Sequence, residues 1–277
     1  MKRKLSFLER FATVPHVVWS VLFIVGPLLF VLWYAFTDTK GEFTFSNISL
    51  LSSYSHIFFL SICFALVATA ICLLIGYPLA FVMSRAKPSV QKILMILLML
   101  PMWISLLIRT YSLMTLLDNG GLVNSLLNKL GLDSVTMIGT GGAVILGMVY
   151  DFLPYMVLPI YTSMTKLDNR YLEAAADLGC TPVTTLFKVV LPLTVPGIIS
   201  GVTMVFVPSI STFYISQKLG GGNFDLIGDT IERQFKMSTS TYHVGAALSL
   251  VMMILILISV AVMNRFSDAE EEEGMTV

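Results

Sequence analysis

The chain has 277 residues, of which 56% are hydrophobic and only 12% charged, with a formal net charge of zero. Soluble domains carry about 25% charged residues, so the composition excludes an ordinary soluble enzyme. The absence of a basic excess gives no support to nucleic-acid binding. No polar stretch is long enough to hold a separate core, and the expected fold class is an all-α integral membrane protein.

A bilayer span needs about 20 mostly apolar residues, and its backbone must satisfy its own hydrogen bonds, which favours helices. Six such stretches follow in order: 14–36, 57–83, 93–117, 142–165, 193–215 and 245–266. Together they predict one transmembrane domain over 1–267. The first stretch follows Lys2, Arg3, Lys4 and Arg10, as a signal peptide would. It is too long for one and no small-residue cleavage site follows it, so it is read as a span. The second carries Cys63 and Cys72; with Cys180 these make an odd number at spacings that suit neither a metal nor a disulfide framework. No cofactor and no metal are expected.

The third stretch contains Pro101, beside Trp103, and Arg109, read as snorkelling towards the outer face or structural. The fourth contains Asp151 in "MVYDFLPYM". A carboxylate in mid-span is costly and faces a cavity or a partner. It is read either as an electrostatic site for a passing cation or as a structural pair with a hydroxyl, a basic residue of a partner subunit or backbone freed by Pro154. Aromatic faces also attract cations, which makes Trp103, Tyr150, Tyr155, Phe213 and Tyr214 further candidates for a solute path, membrane packing being the alternative for each. Helical spacing sets Asp151 and Tyr155 on one face.

Lysine and arginine set the orientation. With the N-terminus inside, the cytoplasmic side holds Lys2, Arg3, Lys4, Arg10, Arg85, Lys87, Lys92, Lys166, Arg170, Lys188 and Arg265, and the other side Lys40, Arg109, Lys129, Lys218, Arg233 and Lys236. Both termini are then cytoplasmic, as is the insert 166–192. Within that insert Asp168 can cap a helix start, Gly179 can end it in the left-handed conformation, and Thr181 with Pro182 can start a second helix that runs to Leu191-Pro192. Outside, 217–243 with its "LGGGNFDLIGDTI" reads as a re-entrant gate or as an amphipathic surface helix. The end, 268–277, reads as a solvated, mobile acidic tail.

The insert has Glu173-Ala174-Ala175, three residues, Gly179, nine residues, Val189, one residue, then Leu191-Pro192. This pattern resembles the cytoplasmic EAA loop of ABC importer permeases, where isoleucine more often stands at the position of Val189. "LPYMVLPIYTSMTKLDNRYLEAAADLG", "LPLTVPGIISG" and "STFYISQKLGGGNFDLIGDTI" extend the resemblance over nearly the whole chain, to the spermidine/putrescine permeases of that class. The resemblance implies a heterodimer with a second permease (PotC-like), a cytoplasmic ATPase dimer (PotA-like) docked on Glu173, Ala174, Ala175, Gly179, Val189, Leu191 and Pro192, and an extracytoplasmic polyamine-binding protein (PotD-like). The chain itself has no phosphate-binding G-x-x-x-x-G-K-[ST] loop, so the expected role is transport without catalysis. The rival expectations are an importer permease for an anion, iron or a sugar, and a self-sufficient secondary transporter or channel.

Overall fold

The computed structural model describes the backbone of residues 7–274 and the side chains of residues 14–265 apart from position 239. The described backbone is helical, its β-structure limited to an isolated antiparallel bridge between Thr37 and Phe43. Among the described residues, four helical stretches are long and apolar enough to cross a membrane: Val14–Ala35, Ser46–Arg85, Gly141–Thr165 and Tyr242–Arg265. Two bent pairs raise the number to six if each pair is one span: Pro88–Trp103 with Leu106–Lys129, at 95°, and Pro182–Leu193 with Val195–Ser211, at 71°.

We label the helices used below α1 (Val14–Ala35), α2 (Ser55–Arg85), α3 (Pro88–Met99), α4 (Leu106–Leu117), α5 (Leu122–Lys129), α6 (Gly141–Thr165), α7 (Asn169–Asp177), α8 (Pro182–Thr185), α9 (Val195–Ser211), α10 (Tyr214–Leu219), α11 (Ile227–Met237) and α12 (Tyr242–Gly274). Two of these bounds differ from the sequence expectation in an informative way. The third span, expected to run unbroken over 93–117, stops at Trp103, and Ile104 and Ser105 are extended, with ψ of 138° and 136°. Pro101 supplies no N–H to the preceding turn, and the chain restarts as α4 in a new direction. The fifth, expected over 193–215, ends at Ser211, and Thr212 is extended with ψ 139°. Pro208 removes another donor there. Gly228 packs so close to the freed end that a Cβ would lie 2.6 Å from the Thr212 carbonyl oxygen.

Packing divides the chain into two compact units, one of residues up to Ser55 with Thr230–Ile254, the other of His56–Asp229 with the stretch from Leu255. In the first unit, Ala35, Ala246 and Ala247 form a small core with Val31, Phe36, Leu51 and Leu250 around them. Asn47 ties the loop after α1 by donating from Nδ2 to the carbonyls of Ala35 (3.2 Å) and Thr37 (2.9 Å). Most of α1 leaves its apolar side chains uncovered, Leu22, Phe23 and Phe30 among them, as a lipid-facing helix does.

The second unit is built around α6. Val144, Met148, Met156, Val157 and Ile160 along it are fully buried. Small residues on its neighbours let them approach. On α9, a Cβ at Gly197 would lie 2.5 Å from Ser163 Cβ, and one at Gly201 would lie 2.9 Å from Met156 Sδ and 3.0 Å from its carbonyl oxygen. This is the small-xxx-small spacing that brings membrane helices together. On α2, a Cβ at Gly76 would meet Met156 and Val157 at 3.1 and 3.3 Å. α12 is helical into the acidic stretch as far as Gly274, where a mobile end was expected from 268 onwards; residues 275–277 lie outside the described residues.

Candidate functional site

Three arrangements bear on function, all within the second unit. The first is the insert. Asp168 caps α7, its Oδ1 accepting the Arg170 N–H at 3.0 Å. At the other end the Gly179 N–H reaches the Ala176 carbonyl at 2.9 Å and the Cys180 N–H reaches the Ala175 carbonyl at 3.0 Å. With Gly179 at φ +76°, these two bonds make the paired Schellman closure of a helix end. Thr181 then caps α8, its Oγ1 accepting the Thr184 N–H at 3.3 Å, with Pro182 at the first helical position. The sharp elbow between two short helices thus lies at the glycine where the local sequence predicts it.

The second helix continues beyond Pro192. After α8 a wide π turn, Leu186–Val190, leads into Leu191–Leu193, and the direction changes at Thr194. Such a turn accommodates the missing proline donor without ending the helix. Thr194 is fully buried and donates from Oγ1 to the Val190 carbonyl at 2.8 Å. Its hydroxyl lies 3.2 Å from Tyr77 Oη, so Tyr77 is the donor there and α2 is fastened to the bend. Arg85, the last residue of α2, donates to Asn169 Oδ1, at the start of α7, over 3.3 Å.

Ala175 is buried, while Glu173 and Ala174 are exposed. Around them Tyr171, Leu178, Val183 and Phe187 are also exposed, Leu178 by 84%. These four apolar side chains are the part of the insert that sequence reasoning missed. Large apolar residues spaced through a loop otherwise rich in alanine and threonine were the available signal.

The second arrangement joins Asp151 to Arg109, a basic residue of this same chain where the sequence reading allowed one from a partner subunit. The two lie 3.2 Å apart, Nη1 to Oδ1, with 5% and 0% of their side chains exposed. Thr110 Oγ1 lies 3.2 Å from Asp151 Oδ2, and Arg109 Nη1 also donates to the Asp151 backbone carbonyl at 3.3 Å. The ion pair is close in distance but its angle is not that of a hydrogen bond, and Arg109 Nε has no hydrogen-bond partner among the described residues. α4 and α6 are therefore joined across a buried contact by opposite charges.

The third arrangement is aromatic. Trp103, at the break between α3 and α4, is 77% exposed. Tyr150 and Phe213 are exposed as well. Tyr155 is half-buried, its ring edge-on to Phe152 with centroids 6.4 Å apart. Tyr214 sits with Tyr111, centroids 6.1 Å apart, and the Lys218 ammonium lies over both rings. Of the six path candidates, Asp151 is enclosed with Arg109 and Thr110, while Trp103, Tyr150 and Phe213 reach the surface of the chain. In the glycine-rich stretch, Leu226 and Ile227 are fully buried, and Ile227 N–H donates to Ser61 Oγ at 2.8 Å.

Comparison with known proteins gives a consistent result. A family model described as "Binding-protein-dependent transport system inner membrane component" matches residues 73–270. The spermidine/putrescine transport system permease protein PotB of Haemophilus influenzae is 37% identical over 257 residues, 89% of this chain and 90% of that one. The PotB of Escherichia coli is 37% identical over 247 residues, 86% and 90% of the two chains. A solved bacterial ABC transporter that imports the acidic polysaccharide alginate superposes with a TM-score of 0.77 at 20% identity, covering 95% of this chain and 96% of its own; that likeness shows the fold alone.

Proposed function

The chain belongs to the family of binding-protein-dependent transport system inner membrane components, and from that premise we propose that it is the permease subunit of an ATP-driven importer carrying polyamines into the cytoplasm. The observation that carries the choice of solute is the extent of the likeness: 37% identity to a spermidine/putrescine permease over nine-tenths of both chains. The proposed assembly pairs the chain with a second permease (PotC-like), an ATPase dimer (PotA-like) and a polyamine-binding protein (PotD-like). Both termini and the α7–α8 element are assigned to the cytoplasmic side by the lysine and arginine asymmetry.

The α7–α8 element supports a docking role on physical grounds. It is capped at both starts and closed at the elbow, so it can move as a rigid piece. Its exposed Tyr171, Leu178, Val183 and Phe187 offer apolar surface to a groove. Glu173, Ala174, Ala175, Gly179, Val189, Leu191 and Pro192 form the proposed ATPase-coupling set. A push on it reaches α9 through the Thr194 bend, which Tyr77 fastens to α2. Trp103, Tyr150, Tyr155, Phe213 and Tyr214 are the proposed path residues, and Asp151 is assigned to holding α4 against α6 in this conformation.

The test is radiolabelled spermidine uptake in cells whose other polyamine importers are deleted, with the chain supplied together with its partner subunits. Uptake above background is expected, and Glu173→Lys should reduce co-purification of the ATPase while leaving the chain in the membrane. Uptake of another solute class, with none of spermidine or putrescine, would replace the solute. Undiminished ATPase co-purification and uptake in Glu173→Lys would remove that residue from the docking surface.

A further inference from the structure

The Lys218 ammonium is 5.2 Å from the Tyr111 ring centroid and 5.6 Å from that of Tyr214. The rings are inclined at 61° to one another, so they form two walls of an open corner. We infer that this corner is an alkylammonium subsite and that Lys218 is its tethered occupant, giving way to an ammonium group of the transported solute. The inference rests on the polyamine reading for the identity of that solute, but not for the chemistry of the corner.

The geometry follows from the sequence of α10. Tyr214 and Lys218 are four residues apart and share one face of the helix, as Ile215 and Leu219 share another. Ile215 and Leu219 are fully buried and pack over Gly147 of α6, where a Cβ would collide with both. That contact fixes α10 and thereby the direction in which Tyr214 and Lys218 project. Tyr111 comes from α4 and is half exposed, so the corner is reachable from outside the helix packing. It is also anchored, because α4 is held to α6 by the Arg109–Asp151 pair.

The chemistry is that of a weak cation site. Aromatic faces attract an ammonium through the ring quadrupole, and the attraction falls short of a carboxylate's grip. Lys218 forms no ion pair among the described residues, and its ammonium lies against the two rings. A lysine ammonium on a flexible stem is chemically the end group of a polyamine, so a corner that accepts one accepts the other. A solute must enter such a subsite and leave it again, which requires modest affinity.

The experiment uses the full chain assembled with its partner permease and ATPase in proteoliposomes, and reads two quantities. The first is uptake of radiolabelled spermidine delivered by the binding protein. Tyr214→Leu and Tyr111→Leu should each lower it about two- to fivefold, the size of one exposed cation–π contact, and Phe at either position should restore most of it, since the ring and not the hydroxyl makes the contact. Lys218→Met should leave uptake at or above the wild-type level. The second quantity is saturation-transfer NMR of tetramethylammonium, a probe that does not depend on which solute is transported. Its methyl signal should rise at least twofold in Lys218→Met and fall in both Leu variants. A wild-type complex that takes up no polyamine yet shows this tetramethylammonium pattern would overturn the solute and keep the subsite. Leu variants with wild-type values in both measurements would overturn the subsite. So would a Lys218→Met complex that loses uptake, whether through failed assembly or with assembly intact, because the lysine would then be a strut or a working part and not an occupant.

Discussion

Arg109 and Asp151 face one another 3.2 Å apart in a contact almost closed to solvent. Removing two charges from water costs several kcal/mol each, and their attraction offsets this only while both are present. Loss of one partner should therefore cost more than loss of both. We expect Asp151→Leu to destabilise the chain by about 3–5 kcal/mol, read as a lower unfolding temperature in detergent, and Arg109→Met with Asp151→Leu to recover most of that loss. A double variant no more stable than the single one would show that the pair does not act as a unit. Gly179 is a residue-scale case of another kind. A Cβ there would meet no atom within 4 Å, so the constraint is the backbone, at φ +76°. Left-handed backbone costs a non-glycine residue about 1–2 kcal/mol, more for a β-branched one. Gly179→Val should keep the chain in the membrane but abolish stimulation of the partner ATPase by the loaded binding protein, and Gly179→Asn should retain much of it. Normal stimulation in the valine variant would mean that the elbow need not hold its angle.

At the scale of elements, α6 is the helix the second unit is packed around, and the contact with α9 depends on Gly197 and Gly201. Membrane helices gain little from hydrophobic burial against each other, so close backbone approach and van der Waals contact decide their association. Gly201→Val would press side-chain atoms into Met156 and should cost about 1–3 kcal/mol, the usual penalty of overpacking. Ser200→Val, one position away on the exposed side of α9, is the control and should be near neutral. The measurement is the unfolding temperature of each variant in the same detergent; equal shifts for the two positions would show that the α6–α9 contact is not the tight one. The broken third span belongs to the same scale. Pro101 takes a donor out of the helix, the chain extends over Ile104 and Ser105, and Trp103 is left at the corner.

At the scale of the molecule, the arrangement connects a docking element to the interior by few links. Asn169 at the start of α7 accepts from Arg85, and Thr194 at the bend accepts from Tyr77, both on α2. On the proposed function, the energy of transport comes from a partner ATPase and enters the chain through the α7–α8 surface. Tyr77→Phe removes one partly buried hydrogen bond and should cost little stability, about 0.6 kcal/mol by the average for such bonds between membrane helices. Its expected effect is on transmission: ATP hydrolysis in the full complex should persist while solute moved per ATP falls. An unchanged transport-to-hydrolysis ratio would take Tyr77 out of the coupling route.

Much of this was legible along the chain because its causes are local. Hydropathy over some 20 residues marks where a helix can lie in a bilayer. Asp168, Gly179 and Thr181 cap and close α7 and α8 through bonds that reach no further than a few residues, so the two-helix element follows from its own stretch of sequence. What sequence patterns left open were events between helices. The hydropathy pattern does not say which helix lies beside which, and so nothing along the chain names Arg109, 42 positions earlier, as the partner of Asp151. The same ignorance hid the use of Gly197 and Gly201, and the pairing of Tyr111 with Tyr214. Prolines 101 and 208 were visible, but whether each one bends a span or breaks it depends on the neighbours that re-satisfy the freed backbone groups. Local causes set where apolar helical segments can lie and how α7 and α8 are capped. The tertiary structure decided which charges neutralise one another, which glycines admit a neighbour and where two spans break, because each of these depends on the lateral order of helices, which is fixed only when they pack.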